Sequence, residues 1–140
     1  MSPSYVCLLA ILLASPAVPF GAEVIRIQVV DGRNGKTITD EQLQVWINGT
    51  TKNALSLKPG PDGIAELEAP AGSSLKIESN LYKDCRTLEK SAARPVYSTD
   101  QIRSSGIATQ NTCGKLRLEP RRGELMFFVR PLHWWEGMKR

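Results

Sequence analysis

From residue 23 to residue 130, apolar and polar side chains alternate in short runs with a period of two. This is the pattern of strands buried on one face only. In residues 24–30, Ile25, Ile27 and Val29 point one way and Arg26 and Gln28 the other. Residues 43–47 repeat the pattern with Leu43, Val45 and Ile47 as the inward set, which leaves Trp46 on the opposite face. Residues 74–78 set Leu75 and Ile77 against Ser74, Lys76 and Glu78. Residues 64–68 form a less regular run with Ile64 and Leu67 as apolar positions, and residues 54–57 a short weak strand. Leu125-Met126-Phe127-Phe128-Val129 is the most apolar run after residue 22 and predicts a central strand. Pro131 ends it, because proline has no amide hydrogen for a ladder. Residues 115–119 predict another strand just before it. Ile27, Val45, Ile77 and Phe127 are expected to meet in one core.

The segments between these runs carry turn chemistry: Asp31-Gly32-Arg33-Asn34-Gly35-Lys36, Lys58-Pro59-Gly60-Pro61-Asp62-Gly63, Pro70-Ala71-Gly72 and Pro120-Arg121-Arg122-Gly123. Asn-Gly tolerates the positive φ that tight hairpins need. Strands at this spacing predict a small antiparallel β-sandwich. The rhythm lapses over residues 80–114. Within that stretch Ser98-Thr99-Asp100-Gln101 forms a capping box and Gly106 a stop signal, which predicts one short helix over residues 99–104.

Residues 1–22 contain no charged side chain, and residues 6–14 are continuously apolar before Ser15-Pro16-Ala17. A short apolar stretch, a breaker and small residues make the layout of a secretory signal. The stretch is shorter than the roughly 20 residues that a membrane-spanning helix needs. Cleavage after Ala17 or after Ala22 would leave a chain starting at Val18 or Glu23. The chain then divides into a signal (1–22), one domain (23–130) and an aromatic, basic tail (131–140), secreted or periplasmic.

Charge is unevenly placed: residues 23–78 carry six basic and eight acidic side chains, residues 79–140 twelve and six. The basic residues are scattered and accompany no nucleic-acid-binding motif, so they read as a solvated face and nucleic acid is not an expected partner. Without Cys7 the chain keeps two cysteines, Cys85 and Cys113. An even pair in an exported chain reads as one disulfide. Metal binding is disfavoured by the single histidine, His133, and by the lack of a C-x-x-C motif.

Residues 29–36, 43–47, Pro61-Asp62-Gly63-Ile64-Ala65-Glu66-Leu67 and Ala69-Pro70-Ala71-Gly72 resemble the carboxypeptidase regulatory-like family. Its members are transthyretin-like (prealbumin-like) sandwiches with a carbohydrate-binding-like architecture. The resemblance covers about half of the domain and implies a seven-stranded sandwich; together with the strand rhythm and the capping box, the expected fold is an all-β, seven-stranded antiparallel Greek-key sandwich with one short helix. The half that bears the cysteines departs from that pattern. It is similar to small exported proteins of soil bacteria, with an N-x-C-G element (Asn111-Thr112-Cys113-Gly114) and an R-P-L-x-W-W tail (Arg130 to Trp135). No function follows from that second resemblance.

No catalytic constellation stands out. His133 lies in the tail, Glu66 and Glu68 share one strand face as solvated residues, and Asp40-Glu41 opens a turn before the second strand. Residues 31–35 lack the helix and the lysine-hydroxyl ending of a phosphate loop. Asn48-Gly49-Thr50 fits a glycosylation acceptor or, in a bacterial chain, a tight turn. Trp46 is a candidate sugar-stacking platform or an indole covering the sandwich edge. Trp134 and Trp135 are adjacent, and in an extended segment both cannot face inward. At least one therefore seeks a groove, a partner or a membrane interface. The expected function is a non-enzymatic accessory or protein-interaction module without a cofactor. The alternative is a carbohydrate-binding module using Trp46, Trp134 or Trp135. The partner is accordingly a protein or a glycan, with at most a weak membrane-surface contact through the tail.

Overall fold

The computed structural model describes residues 23–49, 54–88 and 94–136. The signal reading of residues 1–22 and the last four residues of the tail lie outside them. The chain forms β1 (Glu23–Asp31), β2 (Leu43–Ile47), β3 (Leu55–Leu57), β4 (Ile64–Ala69), β5 (Ser74–Ser79), β6 (Lys83–Asp84) and β7 (Tyr97–Ser98). Then come α1 (Thr99–Ser105), β8 (Ile107–Ala108) and β9 (Glu124–Arg130). One sheet has the order β4-β1-β9-β6, with β8 also on β9, and the other β3-β2-β5-β7. The protein is an all-β sandwich of two sheets with one short helix.

Alternation decides which side chains face between the sheets. Ile25, Ile27 and Val29 of β1 meet Leu125, Phe127 and Val129 of β9 and Leu43, Val45, Leu75 and Ile77 of the facing sheet in one buried cluster. Ile27, Val45, Ile77 and Phe127 therefore do share a core, each fully buried. In β4 the inward set is Ala65, Leu67 and Ala69, not Ile64 and Leu67. The register Ile27↔Ala65 and Ile25↔Leu67 imposes that choice.

The expectation of antiparallel pairing throughout is corrected. β1 and β9 pair in parallel, Ile27 beside Leu125 and Val29 beside Phe127, and β8 is also parallel to β9. Parallel neighbours need a long crossover, and the whole domain lies between β1 and β9. The strands number nine among the described residues, where seven were expected. Three of them, β6, β7 and β8, are two-residue pieces in the stretch where alternation lapses.

Strand β9 is covered on both faces. Its outward residues Met126 and Phe128 join Val30 and Cys85 in a second cluster, against which Ala108, Cys113, Leu116 and Leu118 pack. This explains why the run reads as continuously apolar. It also corrects the strand expected over residues 115–119: both edges of β9 are already paired, so Leu116 and Leu118 lie over its face instead of extending its ladder.

The helix starts where the capping box predicts, with the Ser98 side chain accepting from the Gln101 amide at 3.3 Å. It ends at Gly106, φ 76°. Its first residue, Thr99, is buried and donates to the Ser73 carbonyl at 2.9 Å, tying the helix to the connection from β4 to β5.

Candidate functional site

Candidate chemistry gathers at one end of the sandwich, around the corner from β5 to β6. The corner is built on Glu41, which is fully buried. Its Oε1 accepts from the amides of Gln42 (2.9 Å), Asn80 (3.3 Å) and Leu81 (2.9 Å), and its Oε2 from the Ser79 hydroxyl (2.5 Å). Asp40-Glu41 is thus more than the opening of a turn. A buried carboxylate here supplies the acceptor for the Leu81 amide and a second acceptor for the Asn80 amide, which also donates to the Gln42 carbonyl at 3.0 Å. Next to it the Tyr82 hydroxyl donates to Asp40. Burial and that carboxylate push the Tyr82 phenol up to about 12.

Arg86 closes the core beneath the corner. Its guanidinium lies 5.1 Å from the Phe127 ring centroid and 6.0 Å from that of Tyr97. It donates to the Ile77 carbonyl at 2.7 Å and pairs with Asp84 at 2.6 Å. Burial opposes its charge, but the Asp84 carboxylate and the Tyr97 hydroxyl outweigh it, so its pKa lies above the ordinary arginine value.

The tail folds back over this end. After Pro131, the Glu136 amide donates to the His133 carbonyl at 2.9 Å, and the His133 amide to Glu136 Oε1 at 3.0 Å. Arg130 grips the same carboxylate with both terminal nitrogens, at 2.8 and 3.2 Å. The Arg130 side chain, with the His133 amide, holds the Glu136 carboxyl down at about 2. Within the turn the His133 and Trp135 rings stack, with centroids 4.4 Å apart and planes 9° apart. Trp134 meets Trp135 edge-on at 6.0 Å. Trp134 is 78% exposed and Trp135 48%.

Between this aromatic turn and the β5–β6 corner runs a groove of about 580 Å³. Trp135, Leu132, Tyr82 and Leu88 supply its apolar walls, and Glu78, Asp84, Glu136, Lys83 and Arg94 its charges. The carboxylates are held in ion pairs: Glu78 with Arg94 (2.6 Å), Asp84 with Arg86 and Glu136 with Arg130. Lys83 is exposed and has no carboxylate partner among the described residues.

The other candidates lie elsewhere. Trp46 is half-buried on the outer face of its sheet, beside Lys76 on β5. The Lys76 ammonium stands 5.3 Å from its ring centroid, so that indole already carries a cation. It does not line the groove. Cys85 and Cys113 are bonded, with Cα atoms 5.3 Å apart. The N-x-C-G element locks that bond onto the first turn. Asn111 Nδ2 donates to the Gly32 carbonyl at 2.9 Å and to the Leu116 carbonyl at 3.2 Å. Its Oδ1 accepts from the Cys113 amide at 3.1 Å. A β-carbon on Gly32 would lie 2.3 Å from Asn111 Oδ1, and one on Gly114 2.8 Å from the Gly32 carbonyl oxygen. Gly114 therefore lets its backbone meet that of the first turn, and Gly32 leaves room for the Asn111 side chain and the disulfide. Asn48, φ 58°, and Gly49, φ 66°, form the tight turn after β2.

Of the expected site residues, Trp134 and Trp135 come together in the aromatic turn, while Trp46 and the disulfide stand apart. Tyr82, Lys83, Glu78 and Arg94 were not foreseen, since nothing local marks them as neighbours of the tail. Among the described residues, no helix is long and apolar enough to cross a membrane, and no three metal-ligating side chains gather. Comparison of the chain with family models, with curated proteins and with solved structures finds no match.

Proposed function

We propose that this protein is an exported, non-enzymatic accessory module that works by binding, with the groove beneath Trp135 as its contact surface. The observation that carries this reading is a half-exposed indole held in place from behind. His133 stacks on the ring, and the Arg130–Glu136 pair clamps the turn that bears it. A rigid aromatic beside fixed polar groups binds at low entropic cost. The groove's carboxylates are spent on arginines, and the Ser79 hydroxyl is engaged with Glu41 and the Tyr82 carbonyl. These are positions for holding a ligand rather than for moving its protons.

Export is supported by the Cys85–Cys113 bond, since disulfides persist in oxidising compartments. The transthyretin-like reading draws on the two-sheet sandwich and on the turn motifs of residues 29–36 and 61–72; without the two-residue β6, β7 and β8, six strands remain, as β4-β1-β9 and β3-β2-β5. Any membrane contact would pass through Trp134 and stay weak.

A second reading, carbohydrate binding, draws on the same ring, because an indole wall flanked by fixed acceptors suits a pyranose. The test of the first is retention. The full chain is immobilised and exposed to envelope and secreted fractions of its source cells, in parallel with Trp135→Ala. A defined partner held by the wild type and lost by the variant is the expected result. Equal retention by both proteins, or retention of neither protein nor glycan, overturns the groove as the binding surface.

A further inference from the structure

We infer that a second groove, between residues 108–111 and 114–119, receives an extended peptide segment of a partner protein, which adds itself as a strand to backbone that has no ladder. This groove has a volume of about 550 Å³. It shares no lining residue with the groove beneath Trp135, so it is a separate contact surface.

Residues 115–119 have the side-chain pattern of a strand and none of its ladder bonds. Burial alternates along them, with Leu116 and Leu118 packed on the outer face of β9 and Lys115, Arg117 and Glu119 exposed. Yet their amides, and every carbonyl but that of Leu116, find no hydrogen-bond partner among the described residues. Open backbone groups along an extended segment are a template for a further strand. One bond fixes which of them face the groove. The Leu116 carbonyl accepts from Asn111 Nδ2 at 3.2 Å, and Asn111 lines the groove. In an extended chain the amide and carbonyl of one residue share a side, and those of the second residue on return to it. The Leu116 amide and both backbone groups of Leu118 therefore open toward the groove.

The opposite wall is open in the same way. The Thr109 amide donates to the Met126 carbonyl at 2.9 Å, which turns the backbone groups of Ala108 and Gln110 away from β9. Ala108, Leu118 and Phe128 give the groove an apolar lining. A peptide laid there is held by main-chain bonds, and every second side chain meets that lining. Donor and acceptor recur together at a two-residue period, which a peptide main chain matches and a saccharide does not. The exposed charges of Lys115, Arg117 and Glu119, with Pro120 directly after them, guard this edge against indiscriminate pairing and keep the added strand short.

The test selects a random heptapeptide library on the immobilised full chain and then uses the most enriched peptide, made synthetically, as the probe. Enriched peptides should carry apolar residues at alternate positions and bind saturably. Methylating the peptide's amide nitrogens at every second residue should weaken binding at least tenfold in one register and little in the other. Hydrogen exchange in the complex should slow at the Leu116 and Leu118 amides and not at those of Lys115, Arg117 and Glu119. Leu118→Pro removes an amide that the free chain leaves unbonded, and it should lower the affinity at least tenfold. Leu118→Ala keeps that amide and should cost only a few-fold, with melting temperatures separating lost binding from lost folding. Trp135→Ala should leave peptide binding unchanged. Enrichment of no peptide, equal losses in the two Leu118 variants, uniform protection along residues 115–119, or loss of binding in Trp135→Ala would overturn the site. Protection of Lys115, Arg117 and Glu119 that grows with protein concentration in the absence of peptide would assign the edge to a second copy of the chain and overturn peptide docking.

Discussion

Arg130 and Glu136 form a two-point ion pair across six residues, nitrogen to oxygen at 2.8 and 3.2 Å. It joins the last residue of β9 to the end of the aromatic turn and sets where Trp135 sits. Its protonation follows a simple sign. The Glu136 carboxyl falls from an ordinary 4.5 to about 2 in the folded chain. A depressed carboxyl stabilises the fold above its unfolded pKa and loses that contribution as pH falls through the folded one. The turn should therefore hold at neutral pH and release between about pH 4.5 and pH 2. Tryptophan fluorescence followed through an acid titration reads this. Glu136→Gln should remove the transition, and a transition of unchanged amplitude in that variant would show that the clamp does not hold the turn.

Tyr82 moves the opposite way. Its phenol, pushed up to about 12 by burial and by Asp40, keeps its proton after a free tyrosine has lost it. A raised pKa gives stability that is present below the unfolded value, near 10, and lost as pH rises through the folded one. Ultraviolet titration should show one of the three tyrosines ionising late, near pH 12. Tyr82→Phe should eliminate that late step. Loss of a step near pH 10 instead would place Tyr82 in water.

Glu41 accepts four hydrogen bonds at the corner. Glu41→Ala would take the acceptor from the Gln42 and Leu81 amides, while the Asn80 amide keeps the Gln42 carbonyl at 3.0 Å and the Ser79 hydroxyl the Tyr82 carbonyl at 2.9 Å. A buried donor left unsatisfied costs about 1–3 kcal/mol. We expect the variant to lose stability within about that range in urea unfolding, and its Tyr82 to titrate closer to a free tyrosine. Unchanged stability would mean that water replaces the carboxylate.

The Cys85–Cys113 bond spans 28 residues of sequence. The loop-entropy relation assigns such a bond roughly 3–4 kcal/mol. The double Cys→Ser variant should lose about that much, and thiol titration of the denatured wild type should find neither cysteine free. Gly32→Ala should also destabilise the chain, because its new β-carbon meets Asn111 Oδ1. A neutral Gly32→Ala would show that the N-x-C-G element adjusts easily.

Phe127 is fully buried between the sheets and lies under the Arg86 guanidinium. Truncating a buried phenylalanine costs about 3–5 kcal/mol. Phe127→Ala should reach the upper part of that range, because it also strips a face from a buried cation. A cost below about 2 kcal/mol would mean that the core collapses around the gap.

Alternation in the sequence was enough to separate inward from outward residues on β1, β2 and β5, because side chains on a strand alternate between its two faces. It also marked β9 as central, since a strand covered on both faces is apolar at successive positions, here Leu125 to Val129. The caps of α1 were legible for a similar reason: Ser98 and Gly106 act on neighbours a few residues away. Cysteine count, with export as the expectation, was enough for the Cys85–Cys113 pair.

Tertiary structure decided whatever depends on which distant segment arrives. Alternation at Leu116 and Leu118 reports an apolar side, yet a strand and a cover for the face of β9 have the same pattern. The parallel meeting of β1 with β9 joins the two ends of the domain, and turn residues cannot specify it. Glu41 looked like turn chemistry until the Ser79–Leu81 bend brought its amides to it. The groove combines β5, β6 and the tail, and its charge balance follows from pairings such as Glu78–Arg94 that sequence distance conceals. The physical reason is one of range. Backbone dihedrals, caps and strand faces are set by forces between near neighbours along the chain. Burial, ion pairing and the shape of a groove are set by residues that only the folded chain brings together.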